Sequence, residues 1–383
     1  MDKEGLEKFN KIYPWFTGLS SDLLFWVAID TLFLTVVKGF NAAQIVSLTT
    51  ISLITCICLQ IPLLKIITKI GNTSSVRLSA FLLLMSSILL TFGNNYLVIV
   101  LGKLLYEIAF TFQGMASATL KNNLALQNRE DEYVKFNAKS ATIYSVVTMI
   151  ISFVASVMFN LNNYLPMVCC IMFCFICFIL SFNIIDFSSY NKISKTDEKK
   201  CKKKKVKYSK LIIVLIISFG LFYPIVNSGQ SNGKLFIQQE LMKDFDVEKT
   251  ALIIGAMLCI SRIVRVASNI VFSRAYDKLK DKMSIILPII LVLSIITITI
   301  GSFISISVIL KIVVMSLGYI MILFIRDPFN IYIKDLGLKN IPKTQQQGFL
   351  TTLQLARKII RAIISFAFTI ILIDFSMIVV MVI

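Results

Sequence analysis

No histidine occurs anywhere in the 383 residues. That removes the commonest metal ligand and the side chain most often used to move protons near neutral pH. No phosphate-cradling glycine loop and no ATP-binding motif is present, so primary pumping is excluded unless a partner supplies it. Charge is scarce: Asp, Glu, Lys and Arg make up 16% of the chain, too little for a soluble globule of ordinary composition. The eight cysteines do not form a metal or disulfide framework. Cys169, Cys170, Cys174 and Cys177 lie inside the apolar run MVCCIMFCFICFIL, with no imidazole to join them. Cys56, Cys58, Cys201 and Cys259 suggest no oxidised pairing either. Neither a metal nor a cofactor is expected, and the lack of a catalytic constellation argues against an enzyme. A cleavable signal peptide is also not expected, because the first eighteen residues are polar and the first apolar run has full spanning length.

What the chain does have is apolar length. Hydrophobic residues make up 57% and the mean hydropathy is +0.81, the composition of an all-α polytopic membrane protein. The stretch Asn191–Lys210, NKISKTDEKKCKKKKVKYSK, holds ten lysines against two acids near the middle of the chain. Such a segment cannot cross a bilayer and reads as a solvated, self-repelling linker, either a plain tether or a lipid-sensing switch. It divides the chain into a lead at 1–18, a six-helix bundle at 19–186, the linker at 187–210 and a second bundle at 211–383. The positive-inside rule places the linker and the N-terminus in the cytoplasm. With that orientation, 28 of the 39 Lys and Arg fall in inside segments. Only four, Lys38, Lys234, Lys243 and Lys249, fall in outside loops. The formal charge of +18 therefore follows membrane topology and anionic lipid, and nucleic-acid binding is not needed to explain it.

The pattern predicts six spans before the linker and five after it, with 374–383 too short for a twelfth, which is expected to be cut short. Gly71 and Asn72 mark the turn between spans two and three. In span five, Ser140, Tyr144, Thr148, Ser152 and Ser156 recur every four residues on one helix face. Span seven is expected to kink or break at Tyr223-Pro224 and turn polar through VNSGQSNGK. Lys311, near the outer end of span ten, is expected to snorkel to the headgroups. A cytoplasmic loop is expected from Arg326 to Gln347.

Ionisable residues inside spans are costly and mark function by default. Asp30, Lys103 and Glu107 lie in the first half, and Arg262, Arg265, Arg357, Lys358 and Arg361 in the second. Gln347, Thr351, Gln354, Lys358, Arg361 and Ser365 form one polar stripe at helical steps. Residue counts from the span ends bring Asp30, Glu107, Arg262 and Arg361 to one depth, about 15 to 20 Å in, near the midplane. The set is expected to line a central cavity, to form ion pairs between bundles, or both.

Two six-span halves joined by a basic linker resemble the major facilitator superfamily of secondary transporters. That family carries a turn of the form G-x-L-A-D-R-x-G-R-R between spans two and three and again between eight and nine. The second copy is matched by Ser273 at the leading glycine, Asp277 at the acid and Lys278, Lys280, Asp281 and Lys282 after it. In the first copy Lys69 and Gly71 match, Thr68 replaces the acid, and Asn72 and Thr73 replace the paired bases. Lys103 corresponds to the family's basic residue in span four. SGQSN at Ser228–Asn232 echoes a fragment of a sugar-porter signature.

The resemblance implies a carrier, in the cell membrane, that moves a small polar organic solute, anionic or zwitterionic, by alternating access and with or without a coupled proton. Arg262, Arg361, Arg357, Lys358, Gln354, Asn227 and Tyr223 are the candidate substrate-binding residues. Asp30, Glu107, Lys103 and Asp277 are the candidates for ion coupling or gating. Drug efflux is a weaker alternative, since span five lacks the glycines and prolines of the antiporter signature, and a non-transporting receptor or assembly partner is another. A monomer is expected. The orientation has a direct check: Cys201 should react with impermeant thiol reagents from the cytoplasmic side, and Asn162→Cys only from outside.

Overall fold

The computed structural model describes residues 3–189, 210–279, 282–341 and 346–382, and among them every regular element is helical. The order is α1 (Lys3–Ser20), α2 (Leu24–Leu32), α3 (Ala42–Phe92), α4 (Tyr96–Leu126), α5 (Tyr133–Leu161) and α6 (Leu165–Ser181). Then come α7 (Lys210–Leu241), α8 (Val247–Leu279), α9 (Met283–Ser302), α10 (Val308–Lys339), α11 (Gln346–Asp374) and α12 (Met377–Val382). A π-helical turn, Phe33–Val37, continues α2. Among the described residues eight helical stretches are long and apolar enough to cross a membrane, and the chain is an all-α polytopic membrane protein. Residues 190–209, most of the basic linker, lie outside the described residues.

Packing groups the chain into two compact units. The first holds residues 1–28, 51–151 and 161–204, and the second 29–50, 152–160 and 205–383. Division by packing thus differs from division by chain order, because 29–50 and 152–160 pack with helices that follow the linker.

In the first unit the polar lead turns out to be α1. Its charged residues cover one face, while Leu6, Phe9, Tyr13 and Phe16 recur at helical spacing and are buried. Phe9, Tyr13 and Phe16 pack with Val76, Ala80, Leu120 and Ile184. Each large apolar side chain removed from water contributes about 1.5–3 kcal/mol, enough to order a segment this rich in polar residues. Asn10 Nδ2 donates to Gln127 Oε1 at 2.8 Å and Thr17 Oγ1 to Ser140 Oγ at 2.7 Å, tying α1 to its surroundings.

The turn expected at Gly71 is present as a break within α3, where Gly71 has φ 80° and ψ 175°. Asp186, 4% exposed, closes this turn from beyond the end of α6. Its Oδ2 accepts from Asn72 Nδ2 at 2.6 Å and Asn122 Nδ2 at 2.8 Å, and its Oδ1 accepts from Ser188 Oγ at 2.5 Å. Its backbone N–H donates to Thr73 Oγ1 at 2.9 Å. The acid absent at Thr68 therefore has a counterpart supplied by another part of the chain.

In the second unit α7 runs unbroken through Pro224, which corrects the expected interruption. Its 32 residues extend about 48 Å at 1.5 Å each, so the polar run is a helix face rather than a loop. The missing proline donor is tolerated because neighbouring elements shelter the backbone there. α10 likewise continues through Pro328 to Lys339, so Arg326, Asp327 and Lys334 are helical rather than in a cytoplasmic loop. Lys311 does not snorkel: it is buried, with Nζ 2.8 Å from Asp244 Oδ2 and 3.5 Å from Glu240 Oε2. Close approaches need small residues: a β-carbon on Gly318 would stand 2.7 Å from the Ser294 carbonyl oxygen, and one on Gly255 2.3 Å from Ser156 Oγ.

The turn generates a stability test. Gly71→Ala forces a backbone region essentially restricted to glycine and should cost about 1–3 kcal/mol. Asp186→Ala removes the acceptor of two amides and a hydroxyl, at about 1–3 kcal/mol for each group left unsatisfied. Both should melt earlier in detergent than Thr68→Ala, whose hydroxyl bonds only the Lys65 carbonyl of its own helix turn. An Asp186→Ala protein as stable as the parent would show that the carboxylate does not hold the turn.

Candidate functional site

The second unit collects most of the intramembrane charge. Continuity of α7 puts Tyr223, Asn227, Gln230, Lys234 and Gln238 on one face, at steps of four, three, four and four. Lys234, which the charge count assigned to an outside loop, is 4% exposed and forms an ion pair with Asp30. The partner of Asp30 is thus a lysine of α7, not an arginine of α8 or α11. Gln238 Nε2 donates to Thr35 Oγ1 at 2.6 Å one turn away. Tyr319 of α10, fully enclosed, lies within interaction range of Asp30, Arg262, Arg326 and Gln230. Arg262 is 6% exposed, and its Nε has no hydrogen-bond partner among the described residues.

A second, strongly basic group surrounds Tyr223. The Arg357 guanidinium stands 5.1 Å from the centroid of the Tyr223 ring, and that of Arg326 stands 6.0 Å from it. Such cation–π contacts strengthen where water is excluded. Arg326 Nη1 donates to Gln230 Oε1 at 2.9 Å. Arg361 and Lys334 lie within interaction range of Arg357. Asp327 is gripped by Arg265 in a two-pronged contact, Nε to Oδ2 at 2.6 Å and Nη2 to Oδ1 at 3.0 Å. Aromatic stacking sets the Tyr223 ring: Phe219 lies parallel to it at 5.2 Å, and Phe329 stacks on Phe219 at 6.3 Å.

The sequence candidates divide accordingly. Tyr223 lies against Arg357 with Arg361 in interaction range, and Arg262 and Asp30 each lie within interaction range of Tyr319. Asn227 shares the α7 face and is partly buried, as are Gln354 and Lys358 on α11. Of the α11 stripe, Ser365 is buried and its Oγ accepts from Thr50 Oγ1 at 2.8 Å. The side chains of Gln347, Thr351 and Asp277 lie outside the described residues.

Glu107 and Lys103 belong to the first unit. There Lys103 Nζ sits 4.0 Å above the Tyr106 ring, whose hydroxyl donates to Asp22 Oδ1 at 2.5 Å. The Glu107 carboxylate and Tyr144 also lie within interaction range of Tyr106, and the Glu107 carbonyl receives Cys56 Sγ at 3.9 Å.

Spacing alone misses Lys234, Arg326, Lys334, Tyr319 and Asp22 as site residues. The signal for Lys234 was available in the helical steps of α7, and it was hidden by reading Pro224 and the glycines as a break. Arg326 and Lys334 are missed because the stretch from Arg326 to Gln347 reads as a cytoplasmic loop, whereas α10 runs on to Lys339.

The Asp30–Lys234 pair predicts an asymmetry. The lysine side chain is 5% exposed and the aspartate 32%, so stranding the lysine is the worse insult. Asp30→Asn should lower stability by about 3–5 kcal/mol, and Lys234→Met by clearly less. The double variant should recover most of the Asp30→Asn loss. Additive single effects in detergent melting curves would show the two charges do not interact.

No family model matches the sequence, and no curated protein does. Solved structures match in fold. The nucleoside transporter NupG superposes with a TM-score of 0.68 at 14% identity, over 94% of this chain and 91% of that one. A bacterial homologue of the iron transporter ferroportin, in an inward-facing state, gives 0.68 at 13% identity over 100% and 96%. A bacterial homologue of the human lysosomal transporter Spinster, inward-facing and unoccupied, gives 0.63 at 9% identity over 94% and 80%. At these identities the likeness is one of fold, and the fold is one these transporters share with the chain.

Proposed function

We propose that the protein is a secondary active carrier for a small polar organic solute, working by alternating access. The observation that carries this reading is the group around Tyr223, where Arg326 and Arg357 flank one ring inside a helical unit. Arginine offers a planar fork of donors suited to carboxylate or phosphate, and several such forks are expensive to keep in a membrane without a ligand to serve. Arg361 adds charge beside Arg357, and Arg262 presents a buried donor nearby. Sites of this kind lie near the bilayer midplane in secondary transporters, at discontinuities or junctions of helices.

The reading also places the protein in the cytoplasmic membrane with the N-terminus and linker inside, on the strength of the Lys and Arg bias. The two halves by chain order, 19–186 and 211–383, would be the moving parts. Coupling to protons is supported by the carboxylates at Asp22 and Glu107 around Tyr106, with Lys103 over its ring. Asp277 stays a candidate for the cytoplasmic gate.

Purified protein in liposomes tests this directly. A panel of radiolabelled anionic and zwitterionic solutes should show saturable uptake for at least one. Arg357→Ala and Arg326→Ala should each cut that uptake at least tenfold while inserting normally. Lys38→Ala, distant in sequence from Tyr223 and with its ammonium 5.2 Å from the Phe33 ring, should leave it within twofold. A pH gradient that changes the rate in the parent but not in Asp22→Asn would locate the coupling. Ligand binding with no flux at any gradient would instead make the protein a receptor.

A further inference from the structure

Helix α7 carries polar residues on two faces. Tyr223, Asn227, Gln230 and Lys234 share one, while Ile225, Ser228 and Asn232, at steps of three and four, share the opposite one at about 3.6 residues per turn. That second face borders a cavity of about 100 Å³ within the second unit, walled also by Ile295 of α9, Phe368 of α11 and Met381 of α12. Ile225, at its rim, is exposed, so the cavity opens on an apolar stretch of the helix surface. Asn232 is only 8% exposed, and Ser228 is half-buried. Among the described residues nothing hydrogen-bonds the Asn232 amide or the Ser228 hydroxyl. Elsewhere in the unit a helical hydroxyl returns to its own backbone, as Thr297 Oγ1 does to the Leu293 carbonyl at 2.7 Å. An asparagine inside a membrane helix ordinarily bonds across to a neighbour. Here the facing Ile295 and Phe368 have no donor or acceptor, and Met381 has only a weak acceptor.

We propose that this cavity binds an uncharged amphiphile with a single hydroxyl head, the oxygen between Ser228 and Asn232 and the hydrocarbon body against Ile295, Phe368 and Met381. A hydroxyl donates one hydrogen bond and accepts two, which matches an amide oxygen together with an amide N–H and a serine O–H. A carboxylate or ammonium head does not fit, because no charged side chain lines the cavity and an unpaired ion in apolar surroundings is very costly. Water alone fits poorly as well. Each molecule takes about 30 Å³ and needs two to four polar partners, which the apolar wall does not supply. An apolar cavity of about 150 Å³ takes benzene, so this one takes a body of roughly four carbons, and a longer chain leaves past Ile225. The site shares no residue with the group around Tyr223 and stands or falls separately from the carrier reading.

The test irradiates the full chain in lipid nanodiscs with octanol bearing a diazirine on its third carbon, and maps the adducts by mass spectrometry after digestion. Adducts should fall on residues 225–232 and on Phe368 or Met381. Excess octanol or phenol should cut them at least fivefold, while octane and octanoate should leave them within twofold. Butanol added from water, set against hexadecanol built into the bilayer, tells a small dissolved alcohol from a long-chain one; competition by neither would overturn the site. Asn232→Leu keeps nearly the same shape without the amide. It should cut labelling at least fivefold and raise the melting temperature in detergent, since it removes a buried amide without a partner. Ser228→Leu should cut labelling equally by filling the cavity. Adducts absent or confined to other helices, competition by octane as strong as by octanol, or labelling unchanged in both variants would overturn the proposal. So would an Asn232→Leu protein that melts earlier than the parent, which would show that the amide is already served within the protein.

Discussion

A charge held inside a membrane helix must find an opposite charge, a hydrogen-bonding ligand or water, and the rest of the second unit is arranged around that demand. Lys234 meets it with Asp30, Lys311 with Asp244 and Glu240, and Arg265 with Asp327. Each of these pairs joins two helices, so electrostatic compensation doubles as a packing constraint. Arg326 and Arg357 meet part of the demand differently, through the face of Tyr223, with Arg326 also donating to the amide of Gln230.

The backbone obeys the same rule. In hydrocarbon every N–H and C=O must be satisfied inside the chain or by close neighbours, so a long helix is preferred even where the local residues favour a turn. Pro224 and Pro328 each remove one donor, yet α7 and α10 pass through them. Gly71, with its positive φ, breaks a helix outright, and there Asp186 and two asparagine amides make up the local hydrogen bonds. The turn is thus closed by a carboxylate from beyond the end of α6.

The first unit repeats the theme on a smaller scale. Asp22 accepts from Tyr106 while Lys103 covers the ring, so a carboxylate, a phenol and an ammonium are held in one contact chain. Beside it α1 supplies an aromatic face that anchors the start of the chain to α3 and α4.

Much was legible in the residues themselves, for definite reasons. Apolar runs of spanning length dictate helices, because no other single segment satisfies its backbone in lipid. Gly71 announced its turn, and the four-residue steps on α11 and in span five announced polar faces; Ser140, Thr148, Ser152 and Ser156 are all buried. Which charges meet was decided only by the tertiary structure. Lys234 reads as an outside residue until α7 is known to run through Pro224, and its partner lies 204 positions away, a distance no local pattern reports. Arg326 reads as a loop residue until α10 is known to run through Pro328. Helix continuity through proline depends on neighbours sheltering the backbone, and ion pairing depends on which helices adjoin; both are properties of packing, and periodicity within one segment carries neither.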